Sequence, residues 1–216
     1  MIDDTFKFYY KATQLKDMLR QGAVQWKVEK ERLESIAEHT FGCLILAIAL
    51  ESELKTGVDL AKVLEMLTIH ELEEIIIGDV TPLDNVDKKD LQVKARFEIA
   101  KMLEGLNYKE RLINLTDEYN EGKTKEAKFS KAVDKLECVL EFKKYQDMGL
   151  TSLEKMTPEM YKQVRLKEYV DSGKYDLADI FFIFHKPAYE ELGITEDYWF
   201  KTLKCLDVSM LNNFKL

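Results

Sequence analysis

At 216 residues and 46% apolar content, the chain is long enough to bury one sizeable core and too short to demand two domains. Its formal charge of -8 and pI near 5.1 exclude bulk binding to a nucleic-acid polymer, whose affinity comes from clustered Lys and Arg. The longest apolar run, residues 41–50, is about half of the roughly 20 residues a membrane span needs, so it reads as a buried core helix.

Only 3 prolines and 9 glycines interrupt the chain and strand-like alternation is scarce, so the expected fold class is all-α. Residues 5–20 make a first helix, with Phe6, Tyr9, Tyr10, Leu15 and Leu19 as apolar contributors, and Gly22 breaks it. Residues 21–34, holding Trp26 and a charged stretch at 27–32, read as a connector. Ser35-Ile-Ala-Glu38 has the form of a capping box, which puts His39 in the first turns of a deeply buried helix ending near Gly57. Asp59 suits the N-cap of the next helix, which stops at Gly78, with Asp79 just beyond and Pro82 enforcing the stop. Residues 90–104 and 108–120 supply two more amphipathic helices, divided by Gly105-Leu-Asn107 and closed by Gly122.

A long helix over about 124–147 follows, with Phe129, Ala132, Val133, Leu136, Val139 and Leu140 as its stripe. Asp134 lies off that stripe with Ala127, Cys138 and Tyr145, which periodicity reads as exposed or as a second packed face and counts against a site role. Beyond Gly149 aromatic residues become dense, and His185 reads as a helix-end residue. A final helix over roughly 195–214 packs back on the domain or joins a subunit interface. Cys43, Cys138 and Cys205 are odd in number and far apart, which indicates neither a disulfide framework nor a zinc knuckle. With early acids where a signal peptide carries positive charge, the expected setting is the cytoplasm.

The stretch Thr68-Ile-His-Glu-Leu-Glu-Glu-Ile-Ile-Ile-Gly-Asp-Val-Thr-Pro82 crowds one histidine and four carboxylates at a helix end. If Leu60, Val63, Leu64 and Leu67 face inward, His70, Glu71 and Glu74 continue that face. Burying such groups costs several kcal/mol unless compensated, and a divalent metal compensates a His and carboxylate cluster. His39, the pair His70 and Glu71, and Asp134 are the candidate ligands on three helices. Helix-cap histidines and solvated Glu-rich helix ends are the competing explanation, and Cys43 and Cys138 read as core fillers. Gly-x-x-x-x-Gly-Lys, Gly-x-Gly-x-x-Gly and Gly-x-Ser-x-Gly do not occur, which leaves P-loop, Rossmann and serine-hydrolase readings without support.

Four blocks, Arg32-Leu-Glu-Ser-Ile-Ala-Glu-His39, Ile69-His-Glu-Leu-Glu-Glu74, Gly78-Asp-Val-Thr-Pro82 and Glu126-Ala-Lys-Phe-Ser-Lys-Ala-Val-Asp-Lys-Leu-Glu137, resemble the HD-domain phosphohydrolases, and within them the 5'-deoxynucleotidase branch. The resemblance covers residues 10–148 in order and spacing. It implies a single helical HD domain over 1–150, with a C-terminal helical extension over 151–216. It also implies a divalent metal (Mn, Co, Mg, Fe or Zn) on His39, His70, Glu71 and Asp134, with the helix of Asp134 packed on both faces. Glu71 stands where the family usually has Asp.

Glu74 and Asp79 match the positions of a family acid/base residue and of an Asp that serves substrate or water. Arg20 corresponds to a nucleotide-pocket Arg; Ala23 stands where a Trp is expected and Trp26 lies nearby. Lys128 is a further candidate for offsetting phosphate charge. The expected activity is hydrolysis of a phosphomonoester, a (deoxy)nucleoside 5'-monophosphate, by a metal-bound water, in a homodimer. Hydrolysis of another nucleotide or phosphate substrate, or an HD-fold binding module without chemistry, are the alternatives.

Overall fold

The computed structural model describes residues 2–29, 31, 33–81, 83–84, 88–163 and 167–208. Among them the regular structure is helical, and the one extended pairing is an isolated antiparallel bridge between Leu19 and Ser35. Arg32, Pro82 and the 209–214 end of the expected last helix lie outside the described residues. The fold divides into two compact units, one of Met1–Gln21 and Glu34–Lys131, the other of Gly22–Leu33 and Ala132–Leu216.

The first unit opens with α1 (Ile2–Ala12), which is shorter than the expected 5–20 helix and gives way to a 3-10 turn at Thr13–Lys16. Phe6, Tyr9 and Tyr10 are exposed, while Leu15 is buried. Gly22 is not a breaker, because it lies within the short α2 (Gln21–Gln25). The capping box forms as written: Ser35 N–H donates to Glu38 Oε2 at 2.8 Å and Glu38 N–H to Ser35 Oγ at 3.3 Å, starting α3 (Ile36–Leu54). This helix ends at Leu54, near Gly57 as expected, and its C-cap is Lys55, which takes the left-handed conformation at φ 49°. One face of α3 buries Ile36, His39, Cys43 and Ala47, whereas Phe41, Ile45 and Ile48 are exposed, so α3 is not buried all round.

Asp59 caps α4 (Leu60–Ile69) by accepting from Lys62 N–H at 3.2 Å. Then come α5 (Glu74–Ile77), α6 (Lys88–Met102), α7 (Lys109–Glu121), closed by Gly122 at φ 63°, and α8 (Lys125–Asp147). Helix α4 packs on α3 and α7, and α6 on α5 and α7. Their shared core holds Ile36, Met66, Leu72, Ile99, Leu103 and Ile113. Each fully buried aliphatic side chain of this kind contributes about 1.5–3 kcal/mol. That core supports the turn after α4, which positions the site.

In the second unit, Ala23, Val28 and Tyr145 share a small core. Glu29 N–H donates to the Leu150 carbonyl at 2.7 Å and Thr151 Oγ1 to the Trp26 carbonyl at 2.7 Å. The remaining helices are α9 (Pro158–Gln163), α10 (Lys167–Asp171), α11 (Leu177–Tyr189) and α12 (Glu196–Tyr198), which runs into a π-type turn at Trp199–Leu203. His185 therefore sits inside α11 rather than at a helix end, and burial pushes its imidazole down to about 4. No described helix is long and apolar enough to cross a membrane.

Candidate metal centre

The expected helix through Gly78 is interrupted. It breaks after Ile69 and resumes as α5 at Glu74, and between them Leu72 N–H to Ile69 carbonyl (3.1 Å) and Glu74 N–H to Glu71 carbonyl (3.0 Å) close tighter i to i+3 turns. Each ring is shorter by one residue, ten atoms instead of thirteen, and each residue turns through about 120° instead of 100°. The turn is also enclosed by the surrounding core, and four successive side chains, His70, Glu71, Leu72 and Glu73, are all buried.

His70 Nδ1 lies 2.7 Å from the Leu67 carbonyl. A carbonyl only accepts, so Nδ1 carries the hydrogen and Nε2 of the neutral ring presents a lone pair. That nitrogen lies 3.4 Å from Glu71 Oε1, and His39 Nε2 lies 3.3 Å from the same oxygen. At His70 acceptor faces acceptor, a juxtaposition relieved by a proton or a cation between them. Nitrogen and oxygen ligands at about 2.0–2.2 Å from one ion stand roughly 3.0–3.5 Å apart around it, and both observed separations fall in that interval. The donor set therefore fits a divalent cation.

Two further aromatic contacts steady His70. Its ring packs edge-on against Tyr119 at 5.4 Å and tilted against His39 at 5.7 Å between centroids. Cys43, one helical turn after His39, brings Sγ to 3.6 Å from His39 Nε2, and His39, Cys43 and His70 offer ligand atoms within 4.8 Å of one another. Sγ is also 3.9 Å from Nδ1 of His39, so it lies beside the ring and not along the Nε2 lone pair. The i, i+4 spacing of His39 and Cys43 carried this contact in the sequence, where Cys43 reads only as core filler.

Burial alone raises the Glu71 carboxyl, but when protons instead of a cation lie between it and the imidazoles, the charge of a protonated His70, hydrogen bonds from His39 and His70, and Arg20 outweigh burial and hold the group well below the usual carboxylate range. Glu74 goes the other way. Burial, then the carboxylates of Glu71 and Asp79, push it up to about 10, so it is protonated at neutral pH. Its Oε2 is buried without a hydrogen-bond partner among the described residues. Glu73, buried beside them and raised chiefly by burial, accepts from Asn120 Nδ2 at 2.8 Å. Asp79 Oδ2 accepts the Gln21 N–H at 2.6 Å, and Arg20 Nη1 reaches Glu71 Oε1 at 3.3 Å and Asp79 Oδ2 at 4.0 Å.

The first unit thus brings together His39, His70, Glu71, Glu74, Asp79 and Arg20. Asp134 lies on the part of α8 assigned to the second unit, only 4% exposed and paired with Lys135 at 2.8 Å. Ala127 and Tyr145 on its side of the helix are buried too, so the exposed alternative is excluded and the second packed face is what occurs. Trp26 belongs to the second unit, buried and edge-on to Phe181 at 5.8 Å. Lys128 is an exposed residue in the first turns of α8.

An all-α chain carrying two buried histidines and a carboxylate on neighbouring helical elements is the pattern of a helical metal-binding protein. The HD domain model matches residues 12–171. The chain belongs to the HD domain family. It is 28% identical over 196 residues to the 5'-deoxynucleotidase HDDC2 of Dictyostelium discoideum, covering 87% of this chain and 94% of that one. The 5'-deoxynucleotidase HDDC2 of Homo sapiens is 27% identical over 172 residues, 77% of this chain and 76% of the relative. Among solved structures, a predicted metal-dependent phosphohydrolase from Magnetospirillum magnetotacticum MS-1 shares the fold at a TM-score of 0.60 and 23% identity, covering 89% of this chain and 92% of that one.

Proposed function

We propose that this chain hydrolyses phosphomonoesters, with (deoxy)nucleoside 5'-monophosphates as its substrates, at a divalent-cation centre of His39, His70, Glu71 and Asp134. The observation that carries the reading is the Glu71 carboxylate oxygen set 3.3 and 3.4 Å from the Nε2 atoms of His39 and His70. Relatives named 5'-deoxynucleotidase support the substrate class. Mn, Co, Mg, Fe and Zn all accept imidazole and carboxylate donors to differing degrees. A cation held there would supply Lewis acidity toward a phosphoryl oxygen and toward water.

The chain's own groups handle orientation and protons. Water adds to phosphorus as the bond to the 5'-oxygen breaks, and Glu74, protonated at neutral pH, gives its proton to the leaving oxygen. Asp79, tied to the Gln21 N–H, orients the incoming water or substrate. Arg20 and Lys128 supply positive charge toward the phosphate and Trp26 a nucleotide-side surface. Residues 1–150 form the catalytic domain and 151–216 its extension, in a cytoplasmic homodimer.

Protein purified without chelator, analysed for bound metal and assayed for inorganic phosphate release from a panel of deoxynucleoside 5'-monophosphates with Mn, Co or Mg, is expected to hold metal and turn over at least one substrate. Metal-loaded protein that releases no phosphate from any of them refutes the nucleotidase reading. His70→Ala is expected to abolish metal binding; unchanged metal content would show that the centre lies elsewhere.

A further inference from the structure

The resemblance that names Glu71 as a ligand leaves open how a side chain one methylene longer than the usual Asp is kept in register. A methylene adds about 1.5 Å of reach and another rotatable bond, so a freely moving Glu samples positions away from the two imidazoles. Glu71 Oε1 is not left free. Three nitrogens approach it, His39 Nε2 at 3.3 Å, His70 Nε2 at 3.4 Å and Arg20 Nη1 at 3.3 Å. Two of these are the proposed fellow ligands, and the third is a guanidinium from the start of the chain.

Arg20 is itself held by backbone on both sides. Its N–H donates to the Glu34 carbonyl at 3.0 Å, the next N–H, of Gln21, donates to Asp79 Oδ2 at 2.6 Å, and the preceding residue Leu19 forms the bridge to Ser35. Ile36 N–H completes the pairing by donating to the Met18 carbonyl at 2.8 Å. Because Ser35 is the N-cap of α3, the same backbone pairing that sets the first turn of the His39 helix sets the origin of the Arg20 side chain. That side chain is 16% exposed and that of Glu71 10%, so water competes little for their contact. Ligating carboxylates are commonly oriented by such outer hydrogen bonds, and losing one weakens metal binding by about 10–100-fold.

We infer that Arg20 is a positioning residue of the metal centre, whose guanidinium holds the long Glu71 carboxylate against His39 and His70, so that Arg20 and Glu71 set divalent-cation affinity as a coupled pair. The inference rests on the metal reading given above and is separate from contact between Arg20 and substrate. Charge alone does not explain the role, since a cation beside a cation site is repulsive; orientation has to outweigh it. Arg20→Lys keeps the charge and removes the planar fork, which isolates the positioning effect. Glu71→Asp withdraws the carboxylate from Arg20 while keeping an oxygen ligand.

The test is calorimetric titration of Co2+ into metal-free wild type, Arg20→Lys, Glu71→Asp and the double variant, with circular dichroism confirming that each is folded. Arg20→Lys is expected to weaken Co2+ binding about tenfold in the wild-type background and to change it less than about twofold when Asp stands at 71. An equal effect in both backgrounds, or none in the wild type, overturns the coupling while leaving the metal centre standing. Failure of wild type to bind Co2+ overturns the centre and the positioning role together. Should Arg20→Lys not fold, Arg20→Gln is read against the same pair of backgrounds under the same criteria.

Discussion

Glu74 illustrates how one side chain registers the charge around it. Its carboxyl is raised to about 10, first by burial and then by the neighbouring Glu71 and Asp79 carboxylates, against a value of 4.5 when unperturbed. The folded metal-free chain therefore holds a proton there that the unfolded chain gives up, and stability falls as pH rises from about 4.5 toward 10. Glu74→Gln, neutral at every pH, removes that slope. In urea melts of metal-free protein from pH 5 to pH 9, the variant is expected to gain on wild type as pH increases, reaching a few kcal/mol at the alkaline end. A constant difference between the two would show that the Glu74 carboxyl is ionised in the folded state as in the unfolded one and is not raised by its surroundings. At this scale the sequence was legible for residue type and poor for contact. His70 and Glu71 stand out as an inward pair because they extend an apolar face, but nothing local links Arg20 to Glu71, 51 positions away. Asp134 was legible through its motif block and opposed by periodicity, since a helix buried on two faces has no polar side for a period to mark.

Helix ends with chemical punctuation are legible in the sequence, and those without it are not. Ser35 and Glu38 encode a start, Asp59 another and Gly122 a stop, and each of these ends falls where the residues put it. The break after Ile69 has no Gly or Pro to announce it; it is marked only by i to i+3 backbone bonds, in a turn whose four side chains are all buried. Gly22 failed as a signal for the opposite reason, because the short α2 tolerates it and a Cβ there would meet only Phe142 ring atoms at 3.8 Å. The capping box matters beyond its own turn, since His39 lies four residues past Ser35. Ser35→Ala removes the hydroxyl that accepts from Glu38 N–H and donates to Glu38 Oε2 at 2.7 Å. The expected cost is about 1 kcal/mol, read as a fall of about 2–4 °C in melting temperature for a chain of this length. A melting point equal to that of wild type would mean that the Leu19–Ser35 pairing alone sets the start of α3.

Over the whole molecule, the division into two units raises the question of whether the chain unfolds as one. The second unit has its own polar anchor in Asp179, fully buried in the first turn of α11. Its Oδ1 accepts from Trp199 Nε1 at 2.8 Å, its Oδ2 takes Lys204, and with Asp176 it forms a capping box. Trp199 in turn stacks on Phe182 at 4.5 Å, and Tyr189 donates to the Phe182 carbonyl, so one carboxylate ties the last described helical turns to the α11 core. Asp179→Ala strands the buried indole N–H and leaves Lys204 with Asp176 alone, 3.1 Å away. Breaking a buried charge pair with its hydrogen bonds costs about 3–5 kcal/mol, of which Lys204, 35% exposed, recovers part through water. If the units are separate folding units, amide exchange in Asp179→Ala accelerates across α11 and α12 while α3 and α4 keep wild-type protection. Acceleration spread evenly over both units would show a single cooperative transition, and the metal centre would then depend on α11 for its stability.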